Sequence, residues 1–118
     1  MKPAMSGWRR LLVAAGNSWR GIRACWRNEA SFRLEVVLAV PLCAVALLLP
    51  LDGTERALLL GSVLLALAVE LLNSGIEAAV DRIGPEHHPL SGLAKDCGSA
   101  AVTTCLLLVV VVWACVLL

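Results

Sequence analysis

Three stretches without a charged side chain dominate the chain. Val36 to Leu51 carries none between Glu35 and Asp52, Ala57 to Val69 carries none before Glu70, and Cys97 to Leu118 carries none at all. A helix needs about 20 apolar residues to cross a hydrocarbon layer of about 30 Å. The last run is therefore long enough to span unaided. The first is short and holds Pro41, a residue that kinks helices. The second gains length by continuing as an amphipathic helix through Val80. The simplest count is three transmembrane helices, over about 34–52, 55–83 and 92–118.

The first 33 residues follow a different period. Trp8, Leu12, Ala15, Trp19, Ile22 and Trp26 recur every three or four positions and form one apolar stripe, with arginines over much of the remaining surface. That pattern predicts a helix lying in the membrane interface, the indoles at headgroup depth. An amphipathic helix packed on other protein fits the same stripe. Gly16-Asn17 and Gly21 predict a bend or break in this arm. Residues 1–118 form one all-α membrane domain, without internal repeats or low-complexity segments.

Composition reinforces the pattern. Hydrophobic residues make up 59% of the 118 and charged residues 16%, against the roughly 25% charged of soluble domains, so the solvent is lipid. The net charge of +1 hides an asymmetry. Lys2, Arg9, Arg10, Arg20, Arg23, Arg27 and Arg33, seven of the ten basic residues, precede the first apolar run. A basic arm on so apolar a chain points to a membrane surface and excludes nucleic acid as a partner. The positive-inside rule puts the arm in the cytoplasm, the Asp52-Gly53-Thr54 turn outside, the Arg82–Lys95 loop back in the cytoplasm and the C-terminus outside. The arginines continue to Arg33 with no early cleavage pattern, which argues against a secretory signal. The five cysteines form no C-x-x-C pair, and Cys43, Cys105 and Cys115 sit in apolar runs as small hydrophobes.

The second span carries the chemistry. Glu70, Asn73, Glu77 and Asp81 occupy a sector of about 80° on a helix, with Ser74 beside them. A charge near the bilayer centre costs roughly 2.5–3.5 kcal/mol, so such a stripe needs a partner cation, a metal or a wet site. One reading pairs these carboxylates with arginines of the arm or of neighbouring subunits; the other makes them a metal-bearing active site. A helix from Ala57 to Ile83 is about 40 Å long, so Glu77 and Asp81 emerge among headgroups while Glu70 lies about two turns deeper, where glycerol meets acyl chain. Pro85-Glu86-His87-His88-Pro89 forms a rigid polar turn, and Ser91 is placed to cap a helix beginning near Gly92. Lys95 and Asp96 follow in its first turns. A lysine beside carboxylates and a helix N-terminus suits a triphosphate. Adjacent His87 and His88 point apart on any regular element and make a poor metal pair. No G-x-x-x-x-G-K-[ST], G-x-G-x-x-G or H-E-x-x-H occurs, so a nucleotide site would be assembled from carboxylates, Mg²⁺, Lys95 and the arm.

The run from Glu70-Leu-Leu-Asn-Ser-Gly-Ile-Glu77 through Asp81-Arg-Ile-Gly, followed by Leu90-Ser-Gly-Leu-Ala-Lys95-Asp96-Cys-Gly-Ser-Ala-Ala, closely resembles the prokaryotic integral-membrane diacylglycerol kinases. Ala14-Ala15-Gly16-Asn17-Ser18-Trp19-Arg-Gly and Asn28-Glu29-Ala-Ser-Phe-Arg33 resemble the same family, so the likeness covers nearly the whole chain. It implies a homotrimer of three-span subunits with a surface helix, in the bacterial inner membrane, with sites shared between subunits and MgATP as donor. By position, Glu70 would be the general base, Glu29 and Glu77 would hold Mg²⁺, and Arg10, Asn17, Glu29, Glu77, Glu86, His87, His88, Lys95 and Asp96 would contact nucleotide. Asn73 and Asp81 would support them; Arg56, Glu70 and Ser99 would line the lipid's path. Asn17 stands where the resemblance leads one to expect an aromatic residue, and Val13 where it leads one to expect a basic one. The implied reaction phosphorylates diacylglycerol to phosphatidic acid in phospholipid metabolism. A second branch of the family acts on undecaprenol, and the Trp- and Arg-bearing arm is more similar to the diacylglycerol branch. A proton-coupled transporter subunit would use Glu70 but leave Glu29, Glu77, Lys95 and Asp96 without a role; a scaffold would use none of them.

Overall fold

The computed structural model describes residues 6–118 as four helices; Lys2 of the basic arm lies outside the described residues. They are α1 (Gly7–Asn28), α2 (Ala30–Leu48), α3 (Gly53–Ile83) and α4 (Pro89–Leu117). The last three are long and apolar enough to cross a membrane.

The arm runs as one helix through Gly16, Asn17 and Gly21, so the expected bend does not occur there. Each glycine costs a helix only about 1 kcal/mol relative to alanine, and the other residues of the 22 carry it. The chain breaks instead at Glu29, a single extended residue (φ −117°, ψ 106°) shared by the end of α1 and the start of α2. Its N–H donates to the Cys25 carbonyl at 2.8 Å, and its own carbonyl accepts from Arg33 N at 3.2 Å. Arg33 Nη1 then donates to the carbonyls of Trp26 (2.8 Å) and Arg27 (3.1 Å), which satisfies carbonyls left open at the end of α1. Ala30–Arg33 thus belong to the first spanning helix rather than to the arm.

The same device closes the opposite end. Arg56 Nη1 donates to the Ala46 and Leu47 carbonyls at 2.9 and 2.7 Å, and its Nη2 to Leu51 at 2.9 Å. Asp52 and Glu55 complete a reciprocal capping box at the start of α3. Pro41 sits inside a continuous α2.

The fourth helix starts at Pro89, ahead of the Gly92 expected from sequence, and its cap is His88 rather than Ser91. His88 Nδ1 accepts from Leu90 N at 3.1 Å. Proline at the first helical position has no N–H to satisfy and a φ already set for helix, which favours the earlier start.

Helix α3 packs on both α2 and α4, most extensively on α4, while α1 lies against α2 and α3. The interior is a seam of small and medium side chains: Phe32, Ala39 and Ala46 from α2, Leu59, Ser62, Val63 and Ala66 from α3, and Gly98 from α4. Small residues let helix backbones approach closely where lipid removes the hydrophobic drive between helices. Hydroxyls are satisfied within their own helices, Ser62 on Leu59, Thr103 on Ser99 and Thr104 on Ala100. No residue of α1 is buried, and its Trp8 and Trp19 are 79% and 64% exposed.

Candidate active site

Glu70 is held at mid-helix on α3 with only 4% of its surface exposed. Ser31, in the first turn of α2, donates its hydroxyl to Glu70 Oε1 at 2.7 Å. One turn later on α2, Glu35 Oε2 is enclosed with no partner. The corner at Glu29 fixes where α2 begins, and so brings Ser31 onto the carboxylate.

The rest of the stripe faces α4. Asn73 Nδ2 donates to Glu77 Oε1 at 3.3 Å, and Asn73 Oδ1 is buried without a donor. Gly98 lies directly against this amide, and a Cβ there would collide with it. One turn beyond Glu77, Asp81 pairs with Lys95 at 2.8 Å, both side chains well exposed. The Lys95 ammonium is also close enough to feel the charge of Glu77. Beside the pair opens a cleft of about 260 Å³ whose lining includes Asp81, Glu86, His87, His88, Ser91 and Lys95. His88 uses Nδ1 for the helix cap and keeps Nε2 available. Asp96 is exposed beside Lys95 at the start of α4.

Other expected residues stand apart. Glu29 lines a wider cavity of about 620 Å³ between Cys25 and Asn28 of α1 and Leu71, Ser74, Gly75 and Ala78 of α3. That face of α3 is centred about 130° around the helix from Asn73 and Glu77, so one subunit does not put Glu29 and Glu77 on a common face. Arg10 and Asn17 are exposed on α1, Asn17 bonded to Arg20. Ser99 is exposed on α4. Arg56 lies fourteen residues before Glu70 on the same helix, about 21 Å away along its axis, and is occupied by the α2 carbonyls.

Ser31, the hydroxyl that meets Glu70, escapes a reading of the sequence. Its i, i+4 spacing from Glu35 at the start of a span, a hydroxyl and a carboxyl on one helical face, is the signal that could have drawn attention to it.

Two carboxylates suit Mg²⁺, which ordinarily binds one or two protein carboxylates and takes its remaining ligands from phosphates and water. Among the described residues no group of three or more His, Cys, Asp or Glu side chains is placed to hold a metal by itself. Glu29 and Glu77 have the right chemistry for an ion that arrives with phosphate, but one subunit does not bring them together, so the pair would meet such an ion only across a subunit boundary.

The fold and this cluster define a helical membrane protein with a polar, acid-rich site at one end of its spans. The chain belongs to the prokaryotic diacylglycerol kinase family, whose model matches residues 16–117. It is 51% identical over 113 residues to the diacylglycerol kinase of Escherichia coli (strain K12), covering 96% of this chain and 92% of that one. The diacylglycerol kinase of Pseudomonas aeruginosa is 52% identical with the same coverage. That of Haemophilus influenzae is 44% identical over 108 residues, 92% of each chain.

Proposed function

We propose that this protein transfers the γ-phosphoryl group of ATP to the free hydroxyl of 1,2-diacylglycerol, giving phosphatidic acid and ADP. The observation that carries the reading is Glu70: a carboxylate buried in a spanning helix, oriented by Ser31, and on the same stripe as Asn73, Glu77 and the Lys95 cleft. The reactants are a lipid hydroxyl at glycerol depth and a water-soluble triphosphate, and this stripe runs from one depth to the other.

Phosphoryl transfer passes through a loose transition state, so the protein contributes positioning and charge neutralisation more than covalent chemistry. Glu70 accepts the proton of the attacking hydroxyl as the new O–P bond forms and the bond from γ-phosphorus to the ADP oxygen breaks. Lys95 leaves Asp81 for the phosphate oxygens, a more highly charged partner in the same cleft. Asn73 fixes the rotamer of Glu77 from one side. Glu29 and Glu77 would hold Mg²⁺, which neutralises the triphosphate when bound. Arg10, Asn17, Glu86, His87, His88 and Asp96 contact the nucleotide, and Ser99 borders the lipid's path.

Within one subunit Glu29 and Glu77 stand at different faces of α3, which supports a site completed between subunits; that the assembly is a homotrimer rests on the family resemblance. The basic arm supports a bacterial inner-membrane location with the N-terminus and the α3–α4 loop in the cytoplasm.

The test is phosphate transfer from labelled ATP with Mg²⁺ by protein in mixed micelles, with diacylglycerol and undecaprenol offered separately and Glu77→Gln as control. Label in phosphatidic acid, lost in the control, supports the reading. Label only in undecaprenyl phosphate moves the chain to the other branch, and label in neither lipid from folded protein removes the kinase reading.

A further inference from the structure

Hydroxyls on the helices of this chain mostly serve their own backbone. Ser18 donates to Ala14, Ser62 to Leu59, Thr103 to Ser99 and Thr104 to Ala100, each a carbonyl three or four residues back. Ser31 differs. Among the described residues it is the one hydroxyl that donates to another helix, at 2.7 Å to Glu70 Oε1. The corner at Glu29 is the reason. Ser31 is the second residue of α2, so the carbonyl four residues back, that of Arg27, belongs to α1 and already accepts from Arg33 Nη1. With no local partner in its own helix, the hydroxyl is free to reach across to α3.

Burial alone does not aim a glutamate. The terminal torsion of its side chain is broad and roughly two-fold, so an enclosed carboxylate without a partner can turn. Glu70 is 4% exposed and, among the described residues, forms no ion pair that would fix it. The Ser31 donor holds Oε1. Oε2 receives no donor among the described residues and is not one of the sealed side-chain oxygens, so it remains open.

We propose that Ser31 is a positioning residue for the phosphoryl transfer: its hydroxyl pins Oε1 of Glu70 and so presents Oε2 as the atom that takes the proton of the acceptor alcohol. The inference rests on the reading of Glu70 as general base. Ser31 touches neither phosphate nor lipid; it acts through the direction of one carboxylate. The acceptor's proton goes to Oε2 as its oxygen bonds to the γ-phosphorus and the bond to the ADP oxygen breaks. The Ser31 O–H stays whole throughout, and Glu70 returns its proton to water before the next turnover. Releasing the pin lets the carboxylate turn, which costs rate rather than binding.

The experiment compares the steady-state kinetics of Ser31→Thr and Ser31→Val in the full-length protein in lipid micelles. The two replacements have nearly the same shape and differ by one hydroxyl. Ser31→Thr is expected to keep kcat within about threefold of the wild type, and Ser31→Val to lower it about 10- to 100-fold, the range for a misplaced reacting group. The KM for ATP and for the lipid should stay within about twofold in both, since no substrate contact is touched. Ser31→Ala, expected to be as slow as Ser31→Val, keeps the question answerable if a β-branched variant does not fold. Three results would each overturn the proposal: Ser31→Thr as slow as Ser31→Val, Ser31→Val within about twofold of the wild type, or a lipid KM raised in Ser31→Val alone, which would put the hydroxyl on the substrate. Glu70→Gln, assayed beside them, keeps the two readings apart. Near-full turnover there removes the general base itself, whereas a slow Glu70→Gln beside a fast Ser31→Val overturns the pin alone.

Discussion

Lys95 Nζ and Asp81 Oδ1 stand 2.8 Å apart across the α3–α4 hairpin, one helical turn beyond Glu77. Both side chains are largely in water, at 44% and 67% exposure, where solvent screening leaves such a pair little net effect on stability. The bridge is therefore too weak to hold the hairpin, but it parks the ammonium at the mouth of the cleft. Asp81→Asn should leave thermal stability within about 0.5 kcal/mol and raise the KM for ATP by no more than about fivefold, while Lys95→Ala should lose far more. Steady-state kinetics in ATP check this. A rise well beyond tenfold in Asp81→Asn would place the carboxylate in contact with metal or phosphate.

Gly98 offers a second measurement. It is the one buried residue of α4 and faces the Asn73 amide, which in turn holds Glu77. Gly98→Ala should force Asn73 aside at a cost of about 1–3 kcal/mol, the usual range for overpacking. Glu77 then loses its orienting donor. Turnover should fall at least about tenfold and the Mg²⁺ concentration for half-activity should rise, as when other supporting partners of a metal ligand are removed. A Gly98→Ala protein with unchanged Mg²⁺ dependence would show that Asn73 does not act through Glu77.

The spans were legible because bilayer thickness imposes a length on any uncharged run, and α3 was legible as a site because its carboxylates break an apolar helix at a helical period. What could not be read follows from where helices stop. Glu35 at the edge of an apolar run looks like the end of a span; only the break at Glu29 sets the start of α2 and so puts Ser31 on Glu70, with Glu35 one turn further along. Arg33 reads as part of the basic arm and Arg56 as a residue of the lipid's path, whereas both donate to carbonyls freed by helix ends. Ser91 and His88 are both able to cap, and the proline at position 89 decides between them. Gly98 is silent within Gly98-Ser99-Ala100-Ala101 until the packing of α4 on α3 is known.

Arg56 separates two expectations by experiment. As a residue of the lipid's path it would change the KM for the lipid; as the staple on the Ala46, Leu47 and Leu51 carbonyls it should act on stability. Leaving such carbonyls unsatisfied costs about 1–3 kcal/mol each where they are buried. Arg56→Ala should unfold at lower denaturant or temperature, with the KM for ATP and lipid unchanged in the protein that remains folded. A raised lipid KM in a protein of normal stability would return Arg56 to the substrate's path.

The tryptophans of α1 distinguish an interfacial helix from one packed on protein. None of its residues is buried, and Trp8, Trp19 and Trp26 are 79%, 64% and 44% exposed along one stripe. If the stripe meets lipid, Trp8→Ala and Trp19→Ala each change the stability of the folded helices by no more than about 0.5 kcal/mol, as for other surface substitutions. A tryptophan packed in a core would lose about 3–5 kcal/mol on the same change. Proteins retaining one of these indoles at a time should be quenched best by lipids labelled near the headgroup, and poorly by lipids labelled at the chain end. Quenching from the bilayer centre would mean that the helix inserts, and no quenching with a large loss of stability would mean that another subunit covers it. Headgroup-depth quenching in all three would set α1 flat on the membrane, with Glu29 at the level where the spans begin.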